Sequence, residues 1–297
     1  MESQDNLIKL QEEYYLVGSL REDAKIRYWH TSSLDQPWRN YYDNVLLPQG
    51  NYAGRICRDD SGFLLWNFFT EKVADRTSNN LMPPPKRLHV DGDGQLRAAT
   101  YEQFDQRVIG LLNCRCLRPL KDNRSESQQF CQTDRSTLRI ASEAGFQAYV
   151  FEEDIDSFCM TAKLSMAGVG KCGLICRVDG ESHDGYYFSL DLLKGLVQLR
   201  AWGTGPLRSG EHMMQFKSLQ TGNWYDSGPR ELRIKLLAFG SYIELSINGN
   251  VILSLANDSF TRGLLGFYVE TAELLVEDLQ VQRLAPPTQT DEHLATG

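Results

Sequence analysis

The stretch GSYIELSINGNVILSL, residues 240–255, has the pattern of a β-hairpin. Apolar residues alternate with polar ones before and after Asn248-Gly249, which is the spacing of a strand with one buried face. Asn-Gly is a favoured two-residue hairpin turn because both positions tolerate positive φ. The stretch therefore predicts two antiparallel strands in an all-β protein.

The same pattern continues on both sides of this hairpin. Short runs of aromatic and β-branched residues, bounded by Gly, Asp, Asn and Pro, recur from EYYLVGSL near the N-terminus to LLVEDLQVQRL near residue 284. About ten such runs follow residue 137, which indicates an antiparallel sandwich of jelly-roll type.

The first 100 residues predict a β-meander. RDDSG (58–62) and DGDG (91–94) are hairpin turns, since Asp and Gly adopt turn conformations readily. Residues 14–90 predict five or six strands, and LMPPPKR (81–87) must be extended because proline lacks a backbone donor. TYEQFDQRVIGLLN (100–113), with apolar residues at helical spacing, is the one predicted helix.

Composition excludes several functional classes. The 297 residues carry a net charge of −8 with dispersed basic residues, which argues against a nucleic-acid partner. Neither a signal peptide nor an apolar run long enough to cross a membrane is visible. We therefore expect no membrane association.

Cysteine usage indicates a reducing compartment. The seven cysteines are an odd number, and several lie inside apolar runs: 57, 114, 116, 131, 159, 172 and 176. No histidine stands at a zinc-ligand spacing from them. We expect reduced thiols, a cytoplasmic location, no metal and no cofactor.

Two segments carry resemblances to known folds. The hairpin at 240–255, with GLLGFYV (263–269) and DGYYFSLDLLKGLVQLRAW (184–202), resembles laminin-G and concanavalin-like sandwiches. YYLVGSL, then YDNVLLPQGNYAGRICRDDSGFLLWNFF (42–69), then LMPPPKR, looks like the closing part of the five-bladed propeller of glycoside hydrolase family 32 and its relatives in families 43 and 68. The matching features of that propeller are Tyr52-Ala53, the turn at Asp59–Gly62, Trp66 and Pro85–Arg87.

The resemblance implies a domain layout. Residues 1–113 would form a partial β-propeller-like domain with a closing helix, 114–136 a linker, 137–284 a concanavalin-like jelly-roll sandwich and 285–297 a disordered tail. About two blades would leave strand edges and apolar faces open. We therefore expect a homo-oligomer or a complementing chain as partner.

The catalytic residues of the family are not identifiable in this chain. Family 32 hydrolysis implies an Asp nucleophile, an Arg-Asp-Pro stabiliser and a Glu-Cys acid/base, because two carboxylates must flank the scissile bond. None of the motifs Asn-Asp-Pro, Arg-Asp-Pro and Glu-Cys occurs here. Asp59 in RDDSG superficially resembles the stabiliser, but its context favours a turn residue.

Candidate binding residues are aromatic. Trp29, Tyr52, Arg55 and Trp66 are candidates for sugar binding in a propeller pocket, although aromatics on short strands are more often core residues. Trp202 and Trp224 are candidates for a sugar platform on the sandwich. The acidic segment EEDID (152–156) fits the solvent-exposed start of a strand better than a calcium site.

Two functions remain open. The first is a carbohydrate-active protein related to family 32, β-fructosidase-like, whose catalytic blades are missing from this chain, and hence a fragment or subunit of a glycosidase. The alternative is a non-catalytic carbohydrate-binding or assembly protein that uses the sandwich. Both predict a carbohydrate partner.

Overall fold

The computed structural model describes residues 6–20, 22–70, 81–114, 117–121, 129–133, 137–203, 216–224 and 231–287. They form two compact units. The N-terminal unit comprises the described residues up to Gln106, the segment Tyr242–Ala256 and Pro287. The sandwich unit comprises the described residues of Arg107–Ser241 and Asn257–Pro286. No helix in these residues is long and apolar enough to span a membrane.

The N-terminal unit contains two four-stranded antiparallel sheets. The strands of the first sheet are β1 (Leu7–Leu10), β2 (Glu13–Leu20), β3 (Lys25–Thr31) and β4 (Val45–Leu47). The strands of the second are β5 (Asn51–Asp59), β6 (Gly62–Phe69), β7 (Lys86–Val90) and β8 (Leu96–Thr100). In both sheets the spatial order follows the chain, which is the meander of a propeller blade. Six strands, β2 to β7, occupy residues 13–90, in agreement with the five or six strands expected over residues 14–90.

The two sheets share one hydrophobic core. Tyr15, Val17, Ile26 and Tyr28 of the first sheet belong to the same buried cluster as residues of β6, β7 and β8. On β2 and β3 these core residues alternate with less buried neighbours, as expected for strands with one covered face. Each sheet therefore has an inner face in this core and an outer face.

The hairpin quoted first belongs to the N-terminal unit. It forms β18 (Tyr242–Ile247) and β19 (Asn250–Ala256), which pair antiparallel. Asn248 and Gly249 have φ of 51° and 86°, the left-handed values that the Asn-Gly turn requires. Val251 lies in the core of that unit. The predicted turn is confirmed.

The sandwich unit consists of antiparallel strands with long members at its centre. The strands are β9 (Val108–Leu111), β10 (Leu117–Pro119), β11 (Gln129–Thr133), β12 (Thr137–Phe151), β13 (Phe158–Val178), β14 (Gly185–Asp191), β15 (Leu196–Trp202), β16 (Phe216–Asn223), β17 (Glu231–Phe239) and β20 (Leu264–Leu284). Strand β20 lies between β12 and β13 along its length. The first part of β13 also pairs with β17 and its last part with β14.

Register shifts divide the long strands into two parts. They occur at Ser142/Phe146 in β12 and at Gly168/Lys171 in β13, where Gly145 and Gly168 have φ of 75° and 97°. Such bulges bend strands and let one strand serve two sheets of a sandwich. FCMTAKLSM and CGLICRV, which are two separate apolar runs in the sequence, therefore belong to one strand, β13. The fold class, an all-β chain with blade-like sheets followed by a sandwich, is confirmed.

Two local predictions are corrected. The predicted helix over 100–113 is a 3-10 helix at Glu102–Arg107 followed by β9, because only Phe104 of the helix is buried and β9 pairs with β20. The predicted linker 114–136 contains β10 and β11, both paired with β12. Most of the tail, residues 288–297, lies outside the described residues. The domain boundaries themselves stay predictions.

Candidate functional site

The four candidate residues from the propeller resemblance do not converge on one site. Trp29 follows the core residue Tyr28 and therefore lies on the outer face of the first sheet. The second sheet pairs Arg55 with Trp66, and the Tyr52 pair lies further along the same face. Three of the four residues thus share the outer face of the second sheet, and Trp29 belongs to the other sheet.

The three residues on the second sheet contact their own hairpin. The Tyr52 ring packs edge-on against Phe68 with centroids 5.7 Å apart. The Trp66 Nε1–H donates to Cys57 Sγ at 3.2 Å, and the Arg55 side chain is exposed. This arrangement is an aromatic surface with a cation, and its role in sugar binding stays a prediction.

Asp59 is held in an ion pair. Arg87 Nη1 and Nη2 donate to Asp59 Oδ1 and Oδ2 at 2.7 and 2.8 Å, and Arg87 also pairs with Glu102. The Asp59 carboxylate accepts a hydrogen bond from the Ser61 N–H, as a turn residue does. The Arg87 hydrogen bonds lower the pKa of Asp59 to about 2. A carboxylate so stabilised in its charged form is poorly suited to act as a general acid.

A second group of charges is fully enclosed in the N-terminal unit. Lys86 Nζ lies 3.8 Å from Glu244 Oε2 and donates to the Pro84 carbonyl oxygen at 2.8 Å. The Tyr242 hydroxyl donates to the same carboxylate. Lys86 is 0% exposed, and burial lowers its pKa to about 8. Because no atom of the lysine reaches the surface, the cluster is closed to a ligand.

The sandwich unit carries a cleft of about 220 Å³. Its lining residues come from β12, β14, β15 and the loops beside them: Leu120, Lys121, Phe146, Gln147, Ala148, His183, Tyr187 and Trp202. Tyr187 and Trp202 face the same way because β14 and β15 are paired and Tyr187 is opposite Arg200, two residues from Trp202. The bulge after Ser142 brings Phe146 to the same place.

Aromatic rings form the walls of this cleft. The Tyr187 and Trp202 rings are 4.6 Å apart, and Phe146 lies 6.1 Å from Trp202 and 5.0 Å from Tyr268, centroid to centroid. The Tyr187 hydroxyl donates to the His183 carbonyl oxygen at 2.7 Å. Burial raises the pKa of Tyr187, so the phenol stays neutral at physiological pH.

Polar groups at the cleft are few. Gln147 lines the cleft and is only 7% exposed, and its amide is not among the fully buried side-chain groups that lack a hydrogen-bond partner. A side-chain amide at a cleft can both donate to and accept from a ligand. Lys121 is exposed and His183 is half-buried. The cleft therefore combines an aromatic wall with a side-chain amide, which are the elements of a small polar-ligand site.

One residue of this cleft, Trp202, was a candidate from the sequence. Trp224, the other candidate for a sugar platform on the sandwich, is not among the lining residues. Phe146, Gln147 and Tyr187 were missed because they come from strands far apart in sequence, and no local pattern joins them. The acidic stretch 152–156 instead forms ion pairs, with Arg283 and Arg262. Among the described residues no group of three or more His, Cys, Asp or Glu could hold a metal ion.

Comparison with known proteins yields similarity in fold alone. The sequence matches no protein-family model and no curated protein sequence. Fructan 1-exohydrolase IIa from Cichorium intybus is 13% identical, with a TM-score of 0.56 over 93% of this chain and 57% of its own. A GH32 β-fructofuranosidase from Bombyx mori is 15% identical, with a TM-score of 0.54 over 96% of this chain and 55% of its own. A β-fructofuranosidase from Aspergillus kawachii is 11% identical, with a TM-score of 0.55 over 93% of this chain and 56% of its own. This chain thus has a GH32-like fold and spans little more than half the length of these enzymes.

Proposed function

We propose that this protein is a carbohydrate-active protein that binds a sugar ring in the aromatic cleft of the sandwich unit. The observation that carries the proposal is the Tyr187–Trp202 aromatic wall with the Gln147 side chain beside it in one cleft. The similarity to a fructan 1-exohydrolase and a β-fructofuranosidase supports the same ligand class at the level of fold.

The chemistry of the cleft suits a sugar. One face of a sugar ring presents C–H groups that pack on aromatic rings, and its edge presents hydroxyl groups that pair with amides. Phe146, Tyr187 and Trp202 supply the packing surface, and Gln147 supplies both a donor and an acceptor. A volume of about 220 Å³ is smaller than a drug-sized pocket, which favours a single ring as the bound element.

Isothermal titration of the full chain with glucose, fructose, xylose and glucuronate tests the proposal. Trp202→Ala should weaken binding at least about tenfold, since aromatic contacts of this kind contribute on the order of 1 kcal/mol or more. Trp224→Ala is the matched control, because Trp224 belongs to the same unit and does not line the cleft. Binding of every sugar unchanged in Trp202→Ala would refute the cleft as the site.

A second candidate function is that of a glycosidase part. It is favoured by the likeness to fructosidases over 55 to 57% of their length. In this proposal the catalytic carboxylates come from blades outside this sequence, and the N-terminal unit packs with them through a complementing chain or a second copy. The chain alone should then leave sucrose and fructans intact. Measurable hydrolysis that survives repurification would contradict the proposal that the catalytic carboxylates come from outside this sequence.

We also propose a cytoplasmic, reducing location. Five cysteines of the described residues are free thiols: Cys57, Cys114, Cys159, Cys172 and Cys176. Burial raises the pKa of Cys172 and Cys176 to about 12, so neither reacts readily. Localisation of a tagged full chain by microscopy is the direct test.

A further inference from the structure

Lys121 is the one side chain with a permanent charge among the described residues that line the cleft of the sandwich unit. Its ammonium group has three donors and no acceptor. The Gln147 amide and each neutral tautomer of the His183 ring offer both a donor and an acceptor. The Tyr187 hydroxyl already donates its hydrogen bond to the His183 carbonyl oxygen. None of the described residues that line the cleft is an Asp or Glu.

The neighbouring loop holds Asp179 and Asp184, and the charge of Asp184 contributes, after burial, to the raised pKa of Tyr187 at the cleft. Asp179 Oδ1 accepts from the Glu181 N–H, the Ser182 N–H and the Ser182 hydroxyl, so this carboxylate caps its own turn. Those hydrogen bonds lower the pKa of Asp179. The pKa of Asp184 is raised, first by burial and then by the charge of Asp179. Neither carboxylate lines the cleft.

Neutral sugars do not use the charge of Lys121 fully, because a hydroxyl group carries no charge of its own. A carboxylate only accepts, and hydrogen bonds from an ammonium group to it are charge-assisted and stronger than neutral ones. The whole chain carries a net charge of −8, so its overall field repels anions. Preference for an anion would therefore have to come from local donors.

We infer that the cleft selects a sugar ring that carries a carboxylate, a uronic acid, with Lys121 and the Gln147 amide at the carboxylate and the Tyr187–Trp202 wall against the ring. This inference rests on the proposed function, because it names the ligand class of the same site. The aromatic wall provides affinity for any sugar ring, and Lys121 provides the discrimination.

Titration of the full chain with D-glucuronate and with D-glucose at low salt is the test. Glucuronate should bind at least about tenfold more tightly than glucose, and added salt should reduce the difference. Lys121→Met should bring the two affinities together, chiefly by weakening glucuronate binding. Lys194→Met is the matched control, since Lys194 is on the turn between β14 and β15 with a side chain 78% exposed, and it should leave both affinities unchanged.

The possible outcomes separate the inference from the proposal beneath it. Equal binding of both sugars that depends on Trp202 would overturn the uronate preference and leave sugar binding in place. Glucuronate binding that persists in Trp202→Ala would place the anion elsewhere and overturn the inference. Absence of binding by any sugar would overturn both.

Discussion

Replacing Lys86 with methionine should destabilise the N-terminal unit by about 3 kcal/mol, because breaking one side of a buried ion pair leaves the other charge without compensation. Lys86 is 0% exposed and Glu244 is 1% exposed, so almost no solvent would reach the Glu244 carboxylate after it loses its partner. Glu244 would keep the hydrogen bond from the Tyr242 hydroxyl. Its Oε1 already has no hydrogen-bond partner among the described residues, so it cannot compensate the loss.

The magnitude follows from the typical cost of breaking one side of a buried ion pair, about 3–5 kcal/mol. Burial lowers the pKa of Lys86 from 10.5 to about 8, so the buried ammonium group is itself unfavourable, and its removal places the loss at the lower end of that range. This environment already includes the favourable effect of Glu244. Glu244→Gln, which removes that effect and leaves the ammonium group buried, should therefore cost at least as much, on the order of 3–5 kcal/mol.

The double variant Lys86→Met/Glu244→Gln provides the decisive comparison. It removes both charges, and glutamine keeps an acceptor for the Tyr242 hydroxyl, so its stability should be within about 1 kcal/mol of the parent. Urea unfolding of all four proteins gives the coupling energy, with the exposed Lys9→Met as control. A loss below about 1 kcal/mol in Lys86→Met, or a double variant as unstable as the sum of the single ones, would refute the reasoning.

Three further outcomes are expected. Arg177 is 1% exposed and donates to the carbonyl oxygens of residues 156, 240 and 260. Arg177→Met should therefore lower the free energy of unfolding, measured in urea, by about 3 kcal/mol or more. Arg177→Lys should not restore that free energy. Val251→Ala should lower the unfolding free energy of the N-terminal unit by about 2 kcal/mol, since Val251 is in its core; a change confined to the sandwich unit in hydrogen exchange would contradict that assignment. Asp59 has a folded-state pKa of about 2, below its unfolded value of 3.8. The stability that its carboxylate contributes is therefore present above pH 3.8 and is lost as pH falls through 2. The difference in melting temperature between the parent and Asp59→Asn should shrink over that pH range.

The sequence by itself determined the fold class and most strand positions. KIRYWHT, residues 25–31, is a strand with the predicted bounds, and Asn248-Gly249 is the predicted turn. Both signals are local: alternation needs one covered face, and the turn needs two positive φ values. The position of Asp59 in a turn was predicted from the same kind of local signal. Its ion pair with Arg87 was not predicted.

Only the tertiary structure decided which strands combine. The hairpin at 240–255 was predicted to be part of the sandwich, yet Tyr242–Ala256 is grouped with the N-terminal unit. Likewise Phe146, Gln147, Tyr187 and Trp202 line one cleft although β12, β14 and β15 are separated in the chain. Periodicity specifies that a face will be buried, but the partner that buries it is fixed by packing among distant segments, which no local pattern encodes.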